Sequence, residues 1–430
     1  MAEGTFKRLA AGMRGPVPDP PSHGTREDQA ALAQGRSRPA WAEIDLAALT
    51  HNARTLTQVA RPAQLCAVVK AHGYGHGAPS VARAALAGGA AGLAVALVDE
   101  GIELRQHEVD GPVLLLSECG PDAVDDALAY RLTPTLYTHE GIAAFGQAAR
   151  DLGQRTAVHL KVDTGMHRVG APAGEILGLA QAVIEDPLLQ LEGLWTHFPV
   201  ADGETAEDVA FTQGQIEAFE RLRADLAQAG IRPDVIHAAN TAGAIAFPAA
   251  RYSMVRCGIG LYGYLPGPAV TSAFGAAADG VALQPAMSIK ARVVSVRNLE
   301  AGERPSYGRL RPLSRRSLVA TVPIGYADGV PRALFTQGFS VLIGGRRRPL
   351  AGMVTMDQIM VDCGEDSTVQ LGDEVVLLGR QGEEEITAEE WAARLGTITY
   401  EVLCDIGPRV PRLTVNAPGP KGPSISPPRD

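Results

Sequence analysis

The chain has 430 residues, 46% of them apolar, with 39 Lys and Arg against 48 Asp and Glu for a net charge of −9; that length suits two or three domains around a large core. The mild acidity, with no run of Lys or Arg carrying interleaved aromatics, argues against a nucleic-acid surface. Cys66, Cys119, Cys257, Cys363 and Cys404 are odd in number and lack a C-x-x-C pair, which argues against a disulfide framework or a zinc site and for a reducing, cytoplasmic compartment.

Residues 1–38 are rich in Gly, Pro, Ala, Arg and Ser, with neither a sustained hydrophobic period nor the apolar stretch of a secretory signal, and are expected to be a disordered tail. From 39 to 281, short β runs alternate with Ala-rich helical stretches. Runs 64–69, 92–98 and 113–116 are followed by helical patterns at 78–88, 100–107 and 121–130, and 157–162, 191–196 and 235–238 continue the series. This alternation predicts an α/β chain whose N-terminal domain is a parallel (β/α)8 TIM-type barrel. Near Gly280 the texture changes. Runs 286–296, 317–323, 339–343 and 374–378 are β-rich and separated by Gly, Pro and Asp turns, which predicts a C-terminal, mostly antiparallel β domain over 282–415. Within it, Arg346-Arg347-Arg348 follows Gly344-Gly345 and reads as a solvated hairpin tip. Residues 416–430 form a second Pro/Ser-rich tail. No segment reaches the roughly 18 apolar residues that span a bilayer, so no membrane partner is expected.

The most informative stretch is Val68-Val69-Lys70-Ala71-His72-Gly73-Tyr74-Gly75-His76-Gly77. An apolar strand ends in a lysine and breaks into a glycine-rich turn, at the barrel end where such folds keep their chemistry. A buried lysine loses its charge readily, and the neutral amine forms a Schiff base with an aldehyde. Glycines beside it let backbone N–H groups approach an anion such as a phosphate. The plainer alternative is a lysine that ends a strand and glycines that turn. His72 and His76 have metal-ligand spacing on a helix, but Gly73, Gly75 and Gly77 argue against one. Asp99-Glu100 and Asp122, Asp125 and Asp126 read as helix N-terminal acids. In 159–163 the alternation places Lys161 and Asp163 in the lumen, where the plainer reading is a structural ion pair. Gly258-Ile259-Gly260-Leu261-Tyr262-Gly263 spells G-x-G-x-x-G, but Pro266, Gly267 and Pro268 break the helix that a dinucleotide site requires. Gly258 and Ile259 are better placed to offer N–H groups to a single phosphate, with Asn240 and Thr241 as further donors.

These segments, in order, resemble those of the alanine racemases, two-domain enzymes that carry pyridoxal 5′-phosphate on a barrel lysine. The resemblance runs through Trp41-Ala42-Glu43-Ile44-Asp45, the lysine segment, 161–170, Trp195-Thr196-His197-Phe198, 237–243 and 254–263. It continues through Ser306-Tyr307-Gly308, 323–329, Met356-Asp357-Gln358 and Arg409-Val410-Pro411-Arg412. It places the start of the barrel at Trp41. It implies cofactor contacts from Lys70, Tyr74, Arg168, His197, Asn240, Thr241, Arg256, Gly258 and Ile259. Arg168 would also meet the substrate carboxylate, held by Lys161, which is carbamylated in many members. Arg256 would stand at the pyridine nitrogen, where other pyridoxal enzymes place an acid. Thr241 stands where serine is common and keeps the hydroxyl; Pro408 stands where some members have a tyrosine near the phosphate, so no contact is carried over there.

By the same resemblance, Lys70 and Tyr307 are the two bases that exchange a proton on opposite faces of the substrate, with His197 and Arg256 favouring the phenolate. Tyr307 would reach the other subunit's site in a head-to-tail homodimer. Tyr326, Met356 and Asp357, also from the partner, would shape the entrance and the carboxylate pocket. The implied activity is interconversion of L- and D-alanine, supplying D-alanine for peptidoglycan. A racemase of broader specificity or one for serine is the nearest alternative. A decarboxylase of the same architecture lacks its His-Gly-Ser and Cys-Glu-x-Gly-Asp segments here, and a non-catalytic cofactor carrier would be a barrel alone.

Overall fold

The computed structural model describes residues 38–417; the two expected tails lie almost wholly outside them. Strand β1 (Ala40–Asp45) is followed by the barrel strands β2 (Gln64–Val68), β3 (Gly92–Val95), β4 (Val113–Leu115), β5 (Thr135–Leu136), β6 (Thr156–Lys161), β7 (Leu189–Trp195), β8 (Val235–His237) and β9 (Met254–Cys257). The eight strands β2 to β9 are all parallel, in the order β4-β3-β2-β9-β8-β7-β6-β5. A parallel bridge between Leu114 and Thr133 joins the two ends into a ring. β3, β4 and β9 are buried at every residue, because helices cover the outside while side chains fill the lumen; β3 and β4 read as unbroken apolar runs, and β9 carries the buried Arg256. The covering helices start on side-chain caps: Asp45 accepts from Ala48 N, Thr138 from Gly141 N, and Thr205 forms a reciprocal box with Asp208.

The second half holds β10 (Met287–Arg292), β11 (Ser295–Leu299), β12 (Ser317–Val322), β13 (Ser340–Ile343), β14 (Arg346–Pro349), β15 (Ile359–Asp362), β16 (Glu374–Gln381), β17 (Glu384–Ile386) and β18 (Arg412–Val415). One sheet runs β14-β13-β16-β10-β1-β18 with β17 on β16; a second runs β11-β12-β15. Here strands alternate buried and wetter residues, as in β10, the pattern of a sheet packed on one face.

Two expectations change. Trp41 is not on a barrel strand: β1 pairs antiparallel with β10 and parallel with β18, so the chain enters the second domain's sheet before it builds the barrel. Gly344 and Gly345, both at positive φ, make the two-residue hairpin turn between β13 and β14. The three arginines follow that turn on an edge strand and are engaged rather than merely solvated. Arg347 pairs with Glu384 and Glu390, and Arg348 with Asp366.

Candidate active site

Lys70 leaves β2 into a turn unlike any ordinary helix start. Ala71, His72, Gly73, Tyr74 and Gly75 have φ of 52°, 53°, 62°, 50° and 79°. For each non-glycine residue the left-handed region costs roughly 1–2 kcal/mol, so other groups must hold the turn. Glu100 Oε1 accepts from Ala71 N at 2.6 Å, while its Oε2 accepts from Ala96 N and Leu97 N. Arg412 Nε donates to Gly75 O at 2.9 Å. The carbonyl of Leu403 lies where a Cβ on Gly75 would be, so the second domain's helix Thr399–Cys404 packs directly on the lysine turn. His72 and His76 diverge: His72 faces Glu103, and the His76 ring meets Tyr74 O.

Past the turn, Tyr74 is buried and stacks on Tyr262 with centroids 4.7 Å apart. A Cβ at Gly258 would collide with the Tyr74 hydroxyl, which brings that hydroxyl onto the 258–260 backbone. Thr241 Oγ1 accepts from Gly258 N at 3.1 Å and Gly260 N at 3.4 Å and keeps one proton to donate, with the Cys257 thiol within its reach. Ile259 begins a turn, so its N–H has no carbonyl of that turn to bond. Asn240 caps the helix Thr241–Ala246 by accepting from Gly243 N.

Across the barrel mouth lie the cations. Arg256 is 3% exposed and pinned by Thr196 O and Ala238 O, each at 2.9 Å, by His237 Nδ1 at 2.7 Å and by His197 Nδ1 at 3.1 Å. Burial lowers its pKa to about 10, which leaves it charged at neutral pH. His197 is held well below the usual histidine range by burial, then by Arg256 and Lys161. It is therefore neutral, with Nδ1 accepting from Arg256. Lys161 is 4% exposed, its Nζ 4.3 Å above the Trp195 ring. Burial, then Arg256 and Arg168, lower its pKa to about 7. Asp163 does not pair with it: its carboxylate accepts from the N–H groups of Gly165, Met166 and His167. Arg168 stands exposed at the mouth.

The remaining predicted residues form a second constellation on the β domain. Tyr307, Tyr326 and Met356 are 72%, 42% and 51% exposed. Their loops are fastened to one another: Ser306 Oγ donates to Met353 O, Tyr326 N to Thr355 O and Ala327 N to Met356 O. Asp357 is held by Arg409 at 2.6 Å, which also reaches the fully buried Asp328. Ser306, Gly308 and Arg309, all at positive φ, turn Tyr307 outward. Among the described residues, no hydrogen bond, ion pair or ring contact links this group to the barrel group.

Two family models cover the chain: the alanine racemase N-terminal domain matches residues 44–266 and the alanine racemase C-terminal domain residues 286–414. The chain belongs to the alanine racemase family. Similar family members include the alanine racemase of Symbiobacterium thermophilum, 46% identical over 87% of this chain and 97% of the relative. Among solved structures, the alanine racemase of Streptomyces coelicolor superposes with a TM-score of 0.81 at 38% identity, covering 90% of this chain and all of the other. A histidine racemase from Leuconostoc mesenteroides subsp. sake also matches, with a TM-score of 0.78 at 29% identity and 88% and 99% coverage.

Alanine racemases depend on pyridoxal 5′-phosphate, and the barrel group of this family member fits that cofactor. Lys70 stands at the strand end with an amine of the kind that the cofactor's aldehyde requires. The hydroxyls of Tyr74 and Thr241 converge on the 258–260 backbone, a donor set that suits a phosphate. The pinned Arg256 suits a ring nitrogen that accepts a hydrogen bond. Sequence reasoning passed over Glu100, counted only as a first-turn acid, and missed Arg412, Trp195 and His237. None stands in a local pattern that reports its long-range partner.

Proposed function

We propose that this chain interconverts L- and D-alanine in a homodimer whose two sites each combine the barrel group of one subunit with the β-domain group of the other. The observation that carries it is the split site: Tyr307, Tyr326 and Met356 stand exposed on interlocked loops, and among the described residues of their own chain no hydrogen bond, ion pair or ring contact joins them to the barrel group.

Bound to Lys70, pyridoxal phosphate would withdraw electrons from the substrate Cα and acidify its proton. Thr241, Tyr74 and the N–H of Ile259 would hold the phosphate end, while the Gly258 N–H, bonded to Thr241 Oγ1, orients that hydroxyl. Arg256, which has donors only, hydrogen-bonds the ring nitrogen without giving up a proton. The Lys70 amine would take or return the proton on one face of Cα. The hydroxyl of Tyr307 of the partner subunit serves the other, so that a proton lost on one side returns on the opposite side. His197, neutral and turned by Arg256, keeps its Nε2 proton available for donation toward that phenolate. Arg168 and the partner subunit's Met356 and Asp357 flank the carboxylate, and the partner subunit's Tyr326 narrows the space for the substrate side chain, which favours alanine over larger amino acids.

Lys161 has the pKa and surroundings to react with carbon dioxide. Only a neutral amine attacks CO2; the new N–C bond forms as one proton leaves, and the carbamate is an anion beside Arg168.

Subunit complementation tests this reading. Lys70→Ala and Tyr307→Phe homodimers are each expected to be crippled, losing at least about 10²-fold in kcat. Mixed and re-assembled, they form hybrids with one intact shared site, and alanine racemisation returns. If mixing restores nothing although hybrids form, the shared site is wrong. Loss of the L-alanine Cα–H signal in D2O with growth of D-alanine identifies the reaction; serine and histidine as substrates set its breadth.

A further inference from the structure

Arg256 ends an unbroken line of buried side chains that runs back through the barrel interior to a carboxylate. Its Nη1 is 2.7 Å from His237 Nδ1, His237 Nε2 is 2.9 Å from His159 Nδ1, and His159 Nε2 is 3.1 Å from Glu192 Oε2. Both histidines are fully buried, and Glu192 is 5% exposed. The direction of every proton follows from one end. A guanidinium has donors only, so His237 Nδ1 accepts. Neutral His237 then carries its proton on Nε2 and donates to His159 Nδ1, and His159 donates from Nε2 to Glu192. The reverse order would make His237 an acceptor at both nitrogens, an imidazolate. Burial, then Arg256 and His159, hold His237 well below the usual histidine range, in keeping with a neutral ring.

The backbone is shaped around this line. The β6–β7 register slips: Val158 lies opposite Leu191 but His159 opposite Gly193. Glu192 is thus the extra residue of a bulge, a device that re-aims a side chain, here against His159. A Cβ at Gly193 would fall on the His159 ring, so only glycine admits the ring there. Trp195, on the same strand, stacks on His237 at 5.4 Å and lies under both Arg256 and Lys161.

Charge gives the line its purpose. Arg256 is buried with carbonyls and imidazoles as its partners and no carboxylate among them. Asp163, the acid nearest in sequence to Lys161, is spent on its own loop. A buried cation without a counter-charge is costly. We propose that Glu192 is a positioning residue for the reaction: the buried carboxylate that balances Arg256 through His159 and His237 and holds the guanidinium charged and in one orientation. Its effect on rate rests on the racemase reading; the proton arrangement does not.

Neutron diffraction from holoenzyme crystals tests the arrangement directly. A single deuteron on Nε2 of both His159 and His237 is expected. A deuteron on Nδ1 of either ring, or on both nitrogens of one ring, overturns the line. Glu192→Gln keeps the shape and an accepting oxygen and removes the charge alone. It should lower kcat about tenfold with KM nearly unchanged, as loss of an outer supporting group does elsewhere, and shift the His159 Nε2 proton upfield in NMR spectra. The same variant in an Arg256→Lys background should cost much less. Unchanged kcat and an unmoved ring proton in Glu192→Gln overturn the proposal. If that variant fails to fold, the neutron result still decides. If the wild-type enzyme does not racemise alanine, the racemase reading falls while the proton positions stand or fall by themselves.

Discussion

The barrel group and the β-domain group are built in opposite ways. In the barrel, Arg256, Lys161 and His237 are buried; Arg256 and His237 are pinned by hydrogen bonds, and Lys161 lies over the Trp195 ring. Their geometry is complete within one chain. On the β domain, Tyr307 and Met356 face outward from loops whose stiffness comes from backbone bonds and from the buried Asp328 behind them. The first group is preorganised by its own fold; the second is rigid but waits for a surface to meet. Electrostatic preorganisation requires water to be excluded, and only the barrel half achieves that alone.

This contrast predicts that equal truncations will act differently in the two halves. Tyr307→Phe should lower kcat by about 10²–10⁴-fold yet leave the thermal midpoint of each subunit nearly unchanged, since it removes only an exposed hydroxyl, leaves the backbone of the turn as it is, and such surface changes stay within about 0.5 kcal/mol. If the midpoint drops with the rate, Tyr307 is a packing residue and the contrast fails. Gly258→Ala should act through collision with Tyr74. Overpacking costs about 1–3 kcal/mol, which here should appear as weaker cofactor binding in an absorbance titration, partly rescued by adding Tyr74→Phe.

Acid sharpens the comparison further, because the neutral buried histidines sit in the barrel half. His76 has its pKa lowered to about 4, first by burial, and His197 and His237 lie well below the usual 6.5. Between about pH 6.5 and 4 the unfolded chain binds more protons than the folded one, so stability falls as pH falls through that window. Thermal melts should show the midpoint dropping below pH 6.5. A flat profile would mean that these rings are charged in the folded state. The smallest effect concerns Lys161: labelled carbon dioxide should add a carbamate carbon signal that grows as pH rises through about 7 and disappears in Lys161→Arg.

Much of the barrel half was legible in the chain itself. Parallel strands covered on both faces appear as largely apolar runs, so β2, β3 and β4 could be read directly, and the lysine with its glycine-rich turn follows the first of them. The phosphate loop was legible by elimination, since Pro266 and Pro268 exclude the competing dinucleotide reading. Trp41 was misplaced because strand pairing is non-local: nothing within Ala40–Asp45 reports that its partners are β10 and β18. Glu100 carries the same first-turn signature as Asp125 and Asp126, and only the fold shows that its carboxylate holds the lysine turn.

The sequence by itself determined the kinds of strand and helix, their order, the lysine at a barrel strand's end and the family, because those rest on local periodicity and on short motifs. The tertiary structure alone decided which distant groups meet: Glu100 with Ala71, Arg412 with Gly75, and Glu192 with the histidines behind Arg256. Such meetings depend on strand register and on a single bulge, and a shift of one residue turns a side chain to the opposite face. No local pattern encodes that.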